Sequence, residues 1–215
     1  MNKKIHKISI GIRYTRTFKL QSISGDIMDF CLDKFARLGF EKINGSDQSF
    51  VLISTSEGIV NNSLSVSIDN IVLSKAVSSI NDDEIKKDFA TLKEVFSEFS
   101  IRNIDRIGIV FEYEVSDYKV FQNGLLHESN FNTIEIRTSK NIDDRRNIHD
   151  LKTNDQNYDK VIFSYIKDEK EYVSFDYQSH YSPVYSKISD INFEDLLKKS
   201  KLYIDNDIKS WQKEN

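Results

Sequence analysis

The sequence contains very little cysteine, proline and glycine. Among 215 residues there are one cysteine (Cys31), one proline (Pro183), seven glycines and four histidines. A lone cysteine forms no internal disulfide, and with so few histidines it completes no zinc site. The scarcity of proline and glycine also excludes a flexible Pro/Gly linker and a glycine-rich phosphate loop. We therefore expect a cytoplasmic protein from a reducing compartment, not a secreted disulfide scaffold, and we predict no cofactor.

Long hydrophobic runs and an excess of positive charge are missing as well. No stretch approaches the roughly 18 apolar residues of a membrane-spanning helix, and the opening Met1–His6 predicts no signal peptide. Lys and Arg number 30 against 34 Asp and Glu, a net charge of −4, which disfavours sequence-independent binding of nucleic acid. With 39% hydrophobic residues, the chain can bury a core as a single domain over residues 1–215.

Alternation of apolar and polar residues predicts several strands. A change of phase near Asp69–Asn70 predicts a bulge within one long strand over 64–73. The polar stretch 139–159 predicts a long surface loop or insert. The predicted strands are residues 8–15, 50–54, 64–73, 107–115, 133–138 and the hairpin pair 161–165 and 173–177.

Two of these strands carry the same short motif. Ile10-Gly11-Ile12 and Ile107-Gly108-Ile109 each place a glycine on the face opposite the isoleucines. The motif indicates either a weak internal repeat or two strands of one sheet that share a common alternation.

Helical spacing of apolar residues appears in three segments. The first lies between Ser24, an N-cap residue, and Gly39, a helix terminator. The second begins at Asn81, with Glu84 completing a capping box, and the third spans Asn192–Trp211. Strands and helices that do not alternate regularly favour an α+β fold, with a mainly antiparallel sheet and two or three helices packed on it.

The segments Ile10–Tyr14, Arg106–Tyr113 and Tyr172–Tyr177 together resemble a sporadically distributed bacterial family of uncharacterised proteins. Members of that family carry an Arg-Ile-Gly-Leu-Arg-Tyr-like strand at mid-chain, whereas this chain has Val110 within the corresponding segment. The resemblance implies a place in a bacterial accessory or phage-defence system. It implies no catalytic residues.

Acidic residues in or beside the strands are the strongest candidates for chemistry. Asp69, Glu112 and Glu114, if they converge, are suited to hold Mg²⁺ for a nuclease or phosphoesterase. The alternative is that Glu112 and Glu114 form a solvated strand face and pair with Arg13 or Arg137.

Two further groups of candidate site residues are the four histidines and the apolar residues of the C-terminal helix. His6, His127, His149 and His180 are too scattered in sequence to predict a metal site, so we predict none. In the last helix, Leu202, Tyr203 and Trp211 are candidates for an interface, because aromatic anchors are enriched at binding hot spots.

The first hypothesis is therefore a non-enzymatic component that binds a macromolecule, either another protein or a second copy of itself. The acidic balance does not favour nucleic acid as the partner, and we expect no contact with a membrane. The second hypothesis is the metal-dependent nuclease or phosphoesterase that uses the strand carboxylates.

Overall fold

Strands and helices account for most of the chain that the computed structural model describes, which is residues 3–17, 19–46, 48–115, 133–141, 157–167 and 170–213. Two short 3₁₀ turns, Ala36–Leu38 and Ile188–Asp190, join these elements. In chain order the elements are β1 (Lys3–Tyr14), α1 (Lys19–Lys34), β2 (Lys42–Ser46), β3 (Ser49–Ser56), β4 (Ile59–Ser67), β5 (Asn70–Ala76), α2 (Asp82–Glu98), β6 (Ile104–Val115), β7 (Thr133–Asn141), β8 (Asn157–Lys167), β9 (Lys170–Tyr185) and α3 (Phe193–Lys213).

The described strands form one nine-stranded sheet in the order β2-β3-β4-β5-β1-β6-β9-β8-β7. Each pair of neighbours in this order runs antiparallel. The first strand, β1, therefore lies in the interior of the sheet, between β5 and β6. The predicted α+β class with a mainly antiparallel sheet is confirmed.

One face of the sheet packs against the three helices. Ile10 and Ile12 of β1 lie opposite Ile109 and Ile107 of β6, and all four side chains are buried in the core. The apolar residues that face them from the helices belong to the same core cluster, as the helical spacing predicts. They are Ile27 and Cys31 of α1 with Phe35 directly after it, Ile85, Phe89, Leu92, Val95 and Phe96 of α2, and Phe193, Leu196, Leu197 and Ile204 of α3.

The first helix begins earlier than the sequence predicts. A first helical turn begins at Lys19, the backbone leaves helical geometry at Ile23 (φ −135°, ψ 31°), and the predicted helix then begins with Ser24 as its first residue instead of its N-cap. The Lys19 ammonium donates to the Phe99 carbonyl at 2.6 Å and so links this first turn to the end of α2. Gly39 ends the following 3₁₀ turn with φ 62°, in the left-handed region that favours glycine.

The predicted long strand over 64–73 is two strands, and the predicted bulge is a turn. Ser67 Oγ accepts from the backbone N–H groups of Asp69 and Asn70, which folds the chain back between β4 and β5. The Tyr14 hydroxyl donates to the Ser67 carbonyl at 2.6 Å and fixes the turn against β1. The change of phase in the sequence therefore marks a reversal of the chain.

Two further boundaries were predicted from polar residues. Asn81 caps α2 as predicted, since its side chain accepts from the N–H groups of Asp83 and Glu84 at 3.0 and 3.3 Å. The predicted loop over 139–159 is wrong at its ends: β7 continues through Asn141 and β8 begins at Asn157, because the two strands pair with each other there. The rest of that stretch lies outside the described residues.

Candidate functional site

The side of the sheet opposite the three helices is here called the outer face. Because side chains alternate across a strand, the residues between the core isoleucines point to this face. Near its centre the outer face carries Ser9, Gly11 and Arg13 on β1, Val72 on β5, Arg106, Gly108 and Val110 on β6, and Asp176 and Gln178 on β9.

A pair of glycines forms the floor of a cavity in the outer face. Gly11 and Gly108 lie directly opposite each other on β1 and β6. A Cβ built on Gly11 would meet only Val72 Cγ2, at 3.8 Å, among the described atoms. A Cβ on Gly108 would lie 3.2 Å from Asp176 Oδ1. The cavity above the pair has a volume of about 280 Å³.

Polar side chains of both charge signs surround this cavity. The Arg13 Nε donates to Asp105 Oδ1 at 2.8 Å, and Arg106 donates to Gln178 Oε1 at 3.1 Å. Gln178 Nε2 in turn donates to Asp176. The cavity wall therefore offers donors and acceptors together: it carries two arginines and one aspartate, and Asp105, beside the wall, balances the charge of Arg13.

The three candidate carboxylates do not converge. Asp69 precedes Asn70, which lies opposite Arg13, and Arg13 lies opposite Arg106. Glu112 is six residues beyond Arg106 on β6, which corresponds to about 20 Å along a strand. Oxygens so far apart cannot bind one ion at 2.0–2.6 Å. Within the described ranges no three His, Cys, Asp or Glu residues group as metal ligands.

Glu112 instead lies at the centre of a hydrogen-bonded cluster on the outer face. Its Oε2 accepts from Ser174 Oγ at 3.1 Å, its Oε1 lies 3.9 Å from His6 Nε2, and it accepts from the Tyr165 hydroxyl. Burial, followed by the nearby Glu112 carboxylate, raises the pKa of Tyr165 above its ordinary value. Glu112 therefore acts as an acceptor held by its neighbours.

The prediction that Glu112 and Glu114 form a solvated strand face paired with Arg13 is wrong for Glu112, because only 13% of its side chain is exposed and it accepts from Ser174. Glu114 does pair with a cation, but the cation is Lys170, at 3.1 Å. Arg13 bonds Asp105, because the register places it six residues away from Glu112. The side chain of Arg137 lies outside those described.

We expect no divalent-metal nuclease activity in the isolated protein, because the carboxylates are separated and held by neighbouring side chains. The measurement is incubation of labelled DNA and RNA with Mg²⁺ or Mn²⁺. Cleavage that Glu112→Gln abolishes, and that the neighbouring Glu114→Gln leaves intact, would contradict this expectation and support the second hypothesis.

The three interface candidates of the C-terminal helix differ in their surroundings. Leu202 is exposed (55%). Tyr203 packs on the sheet, with its ring 5.2 Å from those of Tyr177 and Tyr158. Trp211 belongs to α3, but its side chain lies outside those described. Tyr203 therefore contributes to the core side of the helix, and Leu202 remains a surface candidate.

Deletion of residues 205–215 is expected to lower the thermal stability and leave the mass in solution unchanged. The reason is that the part of α3 before the deletion docks on the chain's own core: Asn192 caps the helix start, and Ile204, the last residue retained, is buried. Thermal unfolding and light scattering measure the two quantities. Loss of an oligomer from a folded protein would instead assign the tail to an interface.

The sequence interpretation missed a cluster of charges on the helix side of the sheet. Asp88 of α2, with 4% of its side chain exposed, accepts from Lys75 Nζ at 2.8 Å and from Arg37. Glu84 lies at the edge of this cluster. Two patterns predict these positions: Lys75 continues the inward alternation of Ile71 and Leu73, and Asp88 lies on the helical stripe of Ile85 and Phe89.

The other candidates for chemistry are the single cysteine and the four histidines. Burial raises the pKa of the Cys31 thiol to about 12, so the thiolate that acts as nucleophile is disfavoured. His6 and His180 lie on different strands, and His127 and His149 lie outside the described residues.

Across the described chain, no helix has both the length and the apolar character needed to cross a membrane.

Comparisons of the sequence with protein-family models and with curated proteins return no match.

Proposed function

We propose that this protein is a non-enzymatic component that binds another protein chain through the outer face of its sheet, at the cavity above Gly11 and Gly108. The single observation that carries the proposal is the placement of these two glycines. The partner is either a different protein or a second copy of this chain.

Glycine inside a strand weakens it, because glycine loses more conformational freedom than other residues and has no side chain to pack. It is retained where a bulge, a positive φ or the close approach of a ligand or another backbone requires it. The register is regular on both sides of the Gly11–Gly108 pair, and neither residue has a positive φ. Close approach is the explanation that remains for Gly11, whose own surroundings leave room for a side chain.

The chemistry around the cavity favours protein over nucleic acid as the partner. A surface that binds phosphates presents unbalanced cations, since each neutralised phosphate contributes to affinity. Here Arg13 is paired with Asp105, and Asp176 lies beside Arg106 and Gln178. Mixed donors and acceptors fit a polypeptide, which presents both along its backbone.

The biological setting that we propose is a bacterial accessory or phage-defence system, and its only support is the family resemblance. The single cysteine supports a cytoplasmic location. The alternative function, a metal-dependent nuclease or phosphoesterase, lacks support because Asp69 lies far along the sheet from Glu112 and Glu114.

Photo-crosslinking in the source cells identifies the partner. A benzoylphenylalanine replaces Ser65, which lies on β4 beside Val72, or replaces Lys87, which is exposed on α2. We expect one protein to crosslink from position 65 and not from position 87. Crosslinks to nucleic acid at position 65, or to protein from position 87 alone, would contradict the proposal.

The stability of the isolated protein tests whether the space above Gly11 is open. Gly11→Ala is expected to raise the free energy of unfolding of the isolated protein by about 0.5–1 kcal/mol, since it restores a side chain to a strand without a clash. Gly25→Ala, at an exposed glycine of α1 whose added Cβ meets no described atom within 4 Å, is expected to stabilise the protein by a similar amount and gives the reference for an unobstructed glycine. If Gly11→Ala instead destabilises the isolated protein, the chain itself covers the cavity and the proposal is wrong.

A further inference from the structure

A second cavity lies on the other side of the sheet, between β1, β5 and the first turns of α2. Its volume is about 330 Å³, within the range of small-molecule sites. Its floor is aliphatic and includes Ile8, Ile10 and Leu73. One wall carries Lys75, Glu84 and Asp88. An apolar floor with a few convergent polar groups is typical of a ligand site.

The two carboxylates of this wall pair unequally with the nearby cations. Asp88 is buried and binds both Lys75, at 2.8 Å, and Arg37. The second carboxylate, Glu84, meets the same two cations only at 3.8 and 3.4 Å. Hydrogen bonds between full charges normally measure about 2.7–2.9 Å. Half of the Glu84 side chain is exposed, so Glu84 can leave the two cations at little cost.

We infer that this cavity binds a small aliphatic monocarboxylate, whose carboxylate takes the place of Glu84 on Lys75 and Arg37 and whose chain lies on the isoleucine and leucine floor. One negative charge completes the balance with Asp88, whereas the charge of a phosphate, near −2, would exceed it. The site is separate from the outer face and does not depend on the proposed partner.

The experiment is isothermal titration of the full chain with sodium hexanoate. We expect saturable binding of hexanoate, and none of hexanamide, which lacks the charge, or of acetate, which lacks the chain. Inorganic phosphate tests whether the site is limited to a single negative charge, and we expect that it does not compete with hexanoate. If hexanoate shows no saturable binding, the cluster around Asp88 serves stability alone and the inference is wrong.

Two substitutions with opposite expected effects test the position of the carboxylate. Glu84→Gln removes the competing acid and is expected to strengthen hexanoate binding about threefold, the range of an exposed ion pair. Lys75→Met is expected to weaken it at least about tenfold. Glu94→Gln removes an acid elsewhere on α2, where it pairs with Lys34, and should change nothing.

The Lys75→Met variant also leaves Asp88 with one cation fewer, so its folding is verified by thermal unfolding before titration. Ser79→Trp offers an independent block, because Ser79 is exposed at the cavity wall and its replacement leaves the charges in place. Loss of hexanoate binding in Ser79→Trp supports the site. Unchanged binding in a folded Ser79→Trp and Lys75→Met would place hexanoate elsewhere and overturn the inference.

Discussion

Phe89→Ala is expected to lower the free energy of unfolding by about 3–5 kcal/mol, the cost of truncating a buried core aromatic. The Phe89 ring is 4% exposed and stacks on the ring of Phe193, with 3.9 Å between ring centroids. The substitution therefore leaves a cavity between α2 and α3 and removes their direct aromatic contact. Urea unfolding followed by circular dichroism measures the loss.

Lys87→Ala is the matched control for Phe89, because Lys87 is an exposed residue of the same helix. Its effect is expected to stay within about 0.5 kcal/mol. A loss below about 1 kcal/mol for Phe89→Ala would mean that the helix stripe is not the core of the protein.

Asp88→Ala is expected to destabilise the protein by a similar amount, about 3–5 kcal/mol. Asp88 is buried, and its removal leaves Lys75, with only 15% of its side chain exposed, without its close carboxylate. The penalty arises because the mostly buried Lys75 ammonium has lost hydration and keeps only the half-exposed Glu84, at 3.8 Å, as a nearby carboxylate. Urea unfolding at neutral pH measures the change.

A second substitution separates the buried charge from the lost contact. Adding Lys75→Met to Asp88→Leu replaces the Lys75–Asp88 pair by apolar side chains and is expected to recover most of the stability, because Arg37 keeps Glu84 as a partner at 3.4 Å. Glu94→Ala, which breaks the exposed pair with Lys34, should cost no more than about 1 kcal/mol. If Asp88→Ala costs as little as Glu94→Ala, the buried pair contributes nothing beyond a surface pair.

The fold was predictable where the residue pattern is strictly periodic. The stripe of α2 and its Asn81 cap, the strand over 107–115 and the hairpin of β8 and β9 follow from spacing alone. Errors arose where tertiary contacts decide the conformation. Lys19 links the first turn of α1 to Phe99, and Tyr14 fixes the turn at Ser67, and neither contact is a local signal.

The candidate site was predictable only in part. The paired Ile-Gly-Ile motifs were visible in the sequence, but only the register shows that Gly11 and Gly108 are direct neighbours. Register also separates Asp69 from Glu112, which are both strand-associated acids in the sequence. Periodicity predicts which face of an element a residue occupies, and the order of the strands decides which residues meet.

The most direct test of the central claim is the affinity of the purified partner for Gly11→Val compared with the wild-type protein. Valine projects into the cavity above the glycine pair without altering its charges and blocks close approach, so we expect the dissociation constant to rise at least about tenfold, while Gly25→Ala binds like the wild type. Equal affinity of Gly11→Val and the wild-type protein would show that the partner does not contact this face.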